Sequence, residues 1–328
     1  MNARFLLSWQ KNLGQGFNSV NELLNFLKLP TQHGSLQAEK EFPTRVSRSF
    51  AARMQKGNPQ DPLLLQVLAA PAEINEKLGY TTDPLDESQA NPLKGLIHKY
   101  HGRVLMTLTG ACAINCRYCF RRHFPYQDNN PGRRGWRDIY DYIQNDPNIT
   151  EVILSGGDPL LAADVLWEEL IEHLDAIPHV HTLRIHTRIP IVFPERIDAD
   201  FLKVLTKTRL KKVVVLHCNH PQELDETVAQ VCKQLQENGC LLLNQSVLLA
   251  GVNDDARILA NLSQTLFAYG VLPYYLHLLD KVKGAAHFDL PLAQAQAIYK
   301  ELQGLLPGYL LPRLTREEPG QSSKTLIL

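Results

Sequence analysis

The sequence lacks a net charge. Its 328 residues hold 34 lysines and arginines against 34 aspartates and glutamates. A chain-wide basic field, the basis of non-specific nucleic-acid binding, is therefore excluded, although charge can still gather locally. Also missing is any uninterrupted apolar stretch near the roughly 20 residues that span a bilayer. Neither membrane nor nucleic acid is expected as a partner. The opening MNARFLLSWQKNLGQGFNSV breaks its short apolar run at Ser8, Gln10 and Lys11, with no export-signal core or small-residue cleavage site. Cysteine is sparse, at six residues. Without an export signal these thiols are expected to bind metal, catalyse or pack rather than form disulfides. The balance points to a cytoplasmic, enzyme-sized protein.

What is present falls into three parts. Residues 1–95 read as a helical layer. LLNFLKL (23–29) and DPLLLQVLAA (61–70) suit amphipathic helices, kept short by Pro30, Pro43, Pro59, Pro62 and Pro71. From residue 96 to 306 apolar, β-branched-rich runs alternate with helical patterns. The runs are 103–109, 151–156, 182–187, 212–217, 240–251 and 271–279; the clearest helical patterns are 165–176, 198–207, 223–239 and 255–270. Six such units predict an α/β fold with a parallel sheet buried on both faces. They are too few for an eight-stranded barrel, so a partial, open (β/α)6 barrel is expected, with a doubly wound sheet as the alternative. Residues 307–328 form a C-terminal segment.

In either architecture the active site lies at the C-terminal ends of the strands. The unusual residues sit there: a cysteine-rich loop after the first run, Ser155-Gly156-Gly157-Asp158 after the second and His186-Thr187-Arg188 after the third. His217-Cys218-Asn219-His220, Asn244-Gln245-Ser246 and residues 277–280 follow the others. The loop, ACAINCRYCFRR, spaces Cys112, Cys116 and Cys119 as C-x3-C-x2-C. Three thiolates suit an iron–sulfur cluster with one iron left open; a zinc site completed by a distant Cys or His is the alternative. Cys218, Cys232 and Cys240 lie in or beside apolar patterns and read as packing residues. Taken alone, a Gly-Gly pair marks any strand-to-helix turn.

That cysteine spacing, with Tyr118 before its last thiol and Ser155-Gly156-Gly157-Asp158 one strand later, resembles the radical S-adenosylmethionine enzymes. YHGRVLMTLTGACAINCRYCFRR, HCNHP, NQSVLLAGVND, YYLHLLDKVKGAAHF and EEPGQSSK narrow the resemblance to the lysine 2,3-aminomutases. The resemblance implies a [4Fe–4S] cluster on Cys112, Cys116 and Cys119, with S-adenosylmethionine beside Ser155, Gly156, Gly157 and Asp158. It also implies pyridoxal 5′-phosphate on Lys324, with Lys99, Arg103 and Gln245 near its phosphate, and His217 as a further cofactor-binding residue. Arg121 would take the α-carboxylate of L-lysine, and Asp280 and Glu317 its ε-ammonium. Lys99 and Glu317 depart from the family's arginine and aspartate at those positions, and Glu318 is a second acid beside Glu317. The short stretch after Lys324 resembles the branch whose (R)-β-lysine a separate lysyl ligase attaches to elongation factor P. An external electron donor is implied as well. The catabolic lysine enzyme, an aminomutase for another amino acid, and a zinc-bound interaction module are the competing readings.

Overall fold

The computed structural model describes residues 8–327; residues 1–7, the start of the stretch read for an export signal, lie outside them. Nine strands form one sheet in strict chain order: β1 (Leu96–Tyr100), β2 (Arg103–Thr109), β3 (Glu151–Gly156), β4 (Thr182–Thr187), β5 (Lys211–His217), β6 (Cys240–Val247), β7 (Leu272–His277), β8 (Arg313–Arg316) and β9 (Thr325–Leu326). Strands β2 to β8 are parallel to their neighbours, and β1 and β9 join the two edges antiparallel. The crossovers carry α1 (Gly132–Asn145), α2 (Asp164–Asp175), α3 (Ala199–Thr206), α4 (Glu226–Glu237), α5 (Ala256–Ala268) and α6 (Leu292–Leu305). A strand order that never reverses has no switch point, which rules out the doubly wound alternative and leaves the partial barrel. No helix among the described residues is long and apolar enough to cross a membrane.

The six apolar runs all become strands, although the run 240–251 stops pairing at Val247. The seventh parallel strand, β8, lies outside those runs. Its four residues RLTR bury only Leu314 and Thr315 between two arginines, so it makes no continuous apolar signal. Helix ends follow their side chains. Asp198, Asp225 and Asp255 cap α3, α4 and α5 through backbone N–H groups, and Gly239 and Gly270 end α4 and α5 at φ 77° and 73°.

Short helices, among them Val20–Phe26, Leu36–Glu41 and Pro62–Leu65, precede the sheet. Leu23, Leu24, Leu27, Leu63 and Leu64 are fully buried in the same core as Val104, Val152 and Leu183 of the barrel. The helical layer therefore packs onto the barrel instead of standing apart from it. Polar contacts reinforce this packing at the loop after β2. Fully buried Arg117 donates to Glu73 from Nε (2.8 Å) and Nη2 (2.6 Å), and Arg122 Nη2 donates to the same carboxylate at 2.8 Å. Arg117 also reaches the carbonyls of Phe42 and Ala38, and its own N–H donates to Gln66 O at 2.9 Å. Arg122 is thus a structural ion-pair partner.

Removing Glu73 would leave two buried guanidinium groups without a counter-charge. Glu73→Ala is expected to destabilise the fold by about 3–5 kcal/mol. Calorimetry should show this as a lowered thermal midpoint, and an unchanged midpoint would refute the anchoring role.

Candidate active site

The cysteine loop leaves β2 at Thr109 and is laid against the end of β3. Gly157 N–H donates to Thr109 O at 2.9 Å and Asp158 N–H to Ala111 O at 2.7 Å. A Cβ on Gly157 would stand 2.4 Å from Ala111 O, and one on Gly156, at φ 117°, 2.6 Å from Thr107 Cγ2. Only glycine lets the two backbones approach this closely. Asp158 turns inward: its carboxylate accepts from Thr187 Oγ1 (2.7 Å), Arg188 N (2.7 Å) and Ile189 N (3.2 Å), tying β3 to β4. Burial pushes its carboxyl up to about 6, with those donors opposing.

All three loop cysteines are free and half-buried, whereas Cys218, Cys232 and Cys240 are buried, as packing residues should be. Burial, together with the charge of Cys116, pushes the Cys119 thiol up to about 12, and burial, then the charges of Cys119 and Asp158, raises Cys112. Thiols that raise one another in this way want positive charge between them. Among the described residues no three His, Cys, Asp or Glu side chains cage a single ion. Three thiols on one loop suit a cluster, which spreads its thiolates over several irons. Arg188 Nη1 stands 2.7 Å from Cys116 Sγ, and Nη2 donates to Gln66 Oε1 (2.6 Å) and Glu223 Oε2 (3.0 Å). Tyr118 OH bonds His217 Nε2 at 2.8 Å and accepts from Asn219 Nδ2 at 2.7 Å, with its ring stacked on His217. Burial, then the Arg188 charge, keeps His217 well below its ordinary pKa, hence neutral. Sequence reading missed Gln66, Glu223 and the work of Arg188, because their partners lie far away in the chain.

The second half of the site is formed by the C-terminal segment. Strand β9 pairs with β8, so residues 317–324 form a loop with Glu317 and Lys324 at its two ends. Lys324 is held in place. Its Nζ donates to Glu317 Oε2 at 2.6 Å and lies 5.9 Å from the Tyr275 ring centre. Lys99 Nζ donates to the other oxygen of Glu317 at 3.2 Å and to Leu85 O at 3.0 Å. Burial would raise the Glu317 carboxyl, but the Lys324 and Lys99 ammonium groups outweigh it and hold it at about 2. Glu318 instead accepts from Thr325 Oγ1. Asp280, after β7, is close enough to feel Glu317, Lys324, Glu87 and Lys99. Its burial, then the Glu317 charge, pushes it up to about 7.

Arg121 is buried, with Nη1 donating to Ser155 Oγ at 3.1 Å and Nε and Nη2 held by Glu87. Arg103 lies with its guanidinium 4.8 Å from the Tyr100 ring centre, and Gln245 is level with His217 and Tyr275 across β5, β6 and β7. His186 on β4 feels the charges of Lys324 and Arg121, and its buried Nε2 has no hydrogen-bond partner. An orphaned polar atom that feels both a buried guanidinium and a lysine fits a chamber built for a ligand. One side of that chamber is thiol-rich, the other holds a lysine, two acids and an arginine.

Residues 106–261 match the model of the Radical SAM superfamily. The chain is 49% identical over 321 residues to L-lysine 2,3-aminomutase of Haemophilus influenzae, covering 97% of this chain and 95% of that protein. It is 48% identical to L-lysine 2,3-aminomutase of Escherichia coli, covering 97% and 93%. Against L-lysine 2,3-aminomutase of Clostridium subterminale the identity is 34%, covering 98% and 77%.

The two acids differ in a way that pH can read. Above about 7 Asp280 is charged, and below it the carboxyl carries a proton that an alkylammonium ligand must displace. Affinity for such a ligand is expected to fall by up to about tenfold per pH unit below 7 and to level off above it. Titration calorimetry in two buffers of different ionisation enthalpy should detect proton release near pH 6. An Asp280→Asn variant that keeps the full pH dependence would refute the assignment.

Proposed function

We propose a function from one premise: this chain belongs to the L-lysine 2,3-aminomutase family of radical S-adenosylmethionine proteins. The reaction is migration of the amino group of L-lysine from Cα to Cβ, giving (R)-β-lysine. When bound, a [4Fe–4S] cluster with S-adenosylmethionine supplies a hydrogen-abstracting radical, and pyridoxal 5′-phosphate supplies a conjugated ring that spreads the unpaired electron.

Cys112, Cys116 and Cys119 would hold the cluster, leaving one iron for S-adenosylmethionine. Ser155, Gly156 and Gly157 would border that cosubstrate, and Asp158 would keep them positioned through Thr187 and Arg188. His217 would be kept neutral and oriented by Tyr118. Lys324 would carry pyridoxal phosphate, with Arg103, Gln245 and the charge of Lys99 toward its phosphate. At the substrate, Arg121 binds the α-carboxylate, and Asp280 and Glu317 take the ε-ammonium. The contact between Glu317 and Lys324 supports this reading most. At 2.6 Å the acid already holds an alkylammonium chemically equivalent to a lysine side chain. A substrate with a side-chain carboxylate would meet two acids there, which disfavours a glutamate enzyme.

The chain would act in the cytoplasm with an external one-electron donor. Its β-lysine would pass to a lysyl ligase that modifies elongation factor P.

Anaerobic assay with S-adenosylmethionine, dithionite, pyridoxal phosphate and L-lysine should yield β-lysine, predominantly the R enantiomer. Cys116→Ala is expected to lose S-adenosylmethionine cleavage, and Lys324→Ala to lose covalently bound cofactor while retaining the cluster. A reconstituted protein that stays colourless and binds zinc alone would overturn the enzyme reading in favour of an interaction module.

A further inference from the structure

Glu87 lies outside every motif above, yet it makes the closest contact of any residue to the substrate-facing arginine. Its carboxylate takes the side of the Arg121 fork, Oε2 to Nε at 2.7 Å and Oε1 to Nη2 at 2.7 Å, with both side chains buried. A carboxylate held in that way occupies one edge of a guanidinium and leaves the end formed by Nη1 and the second hydrogen of Nη2. That end points toward β3, where Nη1 meets Ser155 Oγ at 3.1 Å. Phe120 and Phe124 lie with ring centres 5.0 and 5.9 Å from the guanidinium carbon and crowd the group further.

Glu87 is itself fixed. Its N–H donates to Asp83 Oδ1 at 3.0 Å and Ser88 N–H donates to Asp83 Oδ2 at 3.3 Å, while Asp86 sits in the left-handed region at φ 48°. Leu85 O, in the same turn, accepts from Lys99 beside Glu317. The turn at 83–88 thus holds the arginine directly and reaches Glu317 through Lys99.

We propose that Glu87 is a positioning residue for the substrate's carboxylate end: it clamps one edge of Arg121 so that the other edge is presented to the ligand. The proposal rests on the lysine reading of the site. A buried fork with no resident counter-charge would be free to swing and to take anions in several poses. With Glu87 in place, one direction of approach remains. The opposite arrangement, in which Glu87 stands in for the substrate carboxylate and must leave, predicts the opposite effect of removing its charge.

The test is titration calorimetry of the cofactor-loaded wild type, Glu87→Gln and Glu87→Asp with L-lysine and with cadaverine, which keeps the ammonium end and lacks the carboxylate. Losing a buried charge-assisted contact that orients the fork should weaken L-lysine binding about tenfold to a hundredfold in Glu87→Gln and change cadaverine binding by less than about twofold. Turnover should show the same loss in KM, with a smaller change in kcat. Glu87→Asp, with the charge retained on a shorter arm, should fall between wild type and Glu87→Gln. Unchanged or tighter L-lysine binding in Glu87→Gln, or equal losses for both ligands, would overturn the proposal while the lysine reading stands. A wild type that does not prefer L-lysine to cadaverine would overturn both.

Discussion

Two guanidinium groups share one buried carboxylate where the loop after β2 meets the helical layer, and the active-site loop takes its shape from that contact. Breaking a buried pair of this kind strands a charge, so the loop has one low-energy seat even if the pair adds little net stability. Arg117 lies between Cys116 and Cys119, and Arg122 directly follows Arg121. Once both arginines are bound to Glu73, two of the three thiols and the Arg121 guanidinium are fixed within two residues of an anchor. Glu73 belongs to the helical layer, which explains why that layer shares the barrel core.

The β3 end completes the loop's surroundings by close backbone approach. Gly156 and Gly157 have no room for a Cβ against residues 107–111, and Asp158 carries the constraint onward to β4. There Arg188 joins Cys116, Gln66 and Glu223 in one polar network. The loop is thus braced by the helical layer on one side and by two barrel strands on the other.

The barrel repeat was legible because parallel strands covered on both faces leave contiguous apolar runs. The cysteine spacing and the glycine pair were legible because each is a local pattern. What escaped was non-local or short. Glu73 lies 44 residues from Arg117 and Glu87 lies 34 from Arg121, and nothing in the local sequence links either pair. Strand β9 has two residues, too few for any periodicity, so nothing local in the sequence shows that it pins Lys324 beside Glu317. Arg122 was visible as charge, but its partner was not.

The acid pair shows how one residue chemistry serves two tasks through environment alone. Glu317, between Lys324 and Lys99, stays ionised across the physiological range and always requires a cation. Asp280, buried and near the Glu317 charge, titrates near neutrality, so a further positive group beside it favours its charged form. A neutral side chain entering the chamber would leave Asp280 protonated and gain nothing from it. An alkylammonium group would displace the proton and pair with both acids. The difference between the two carboxyls follows from their surroundings: Glu317 accepts from two lysines, whereas Asp280 is buried near the Glu317 charge with the lysine charges acting on it less strongly.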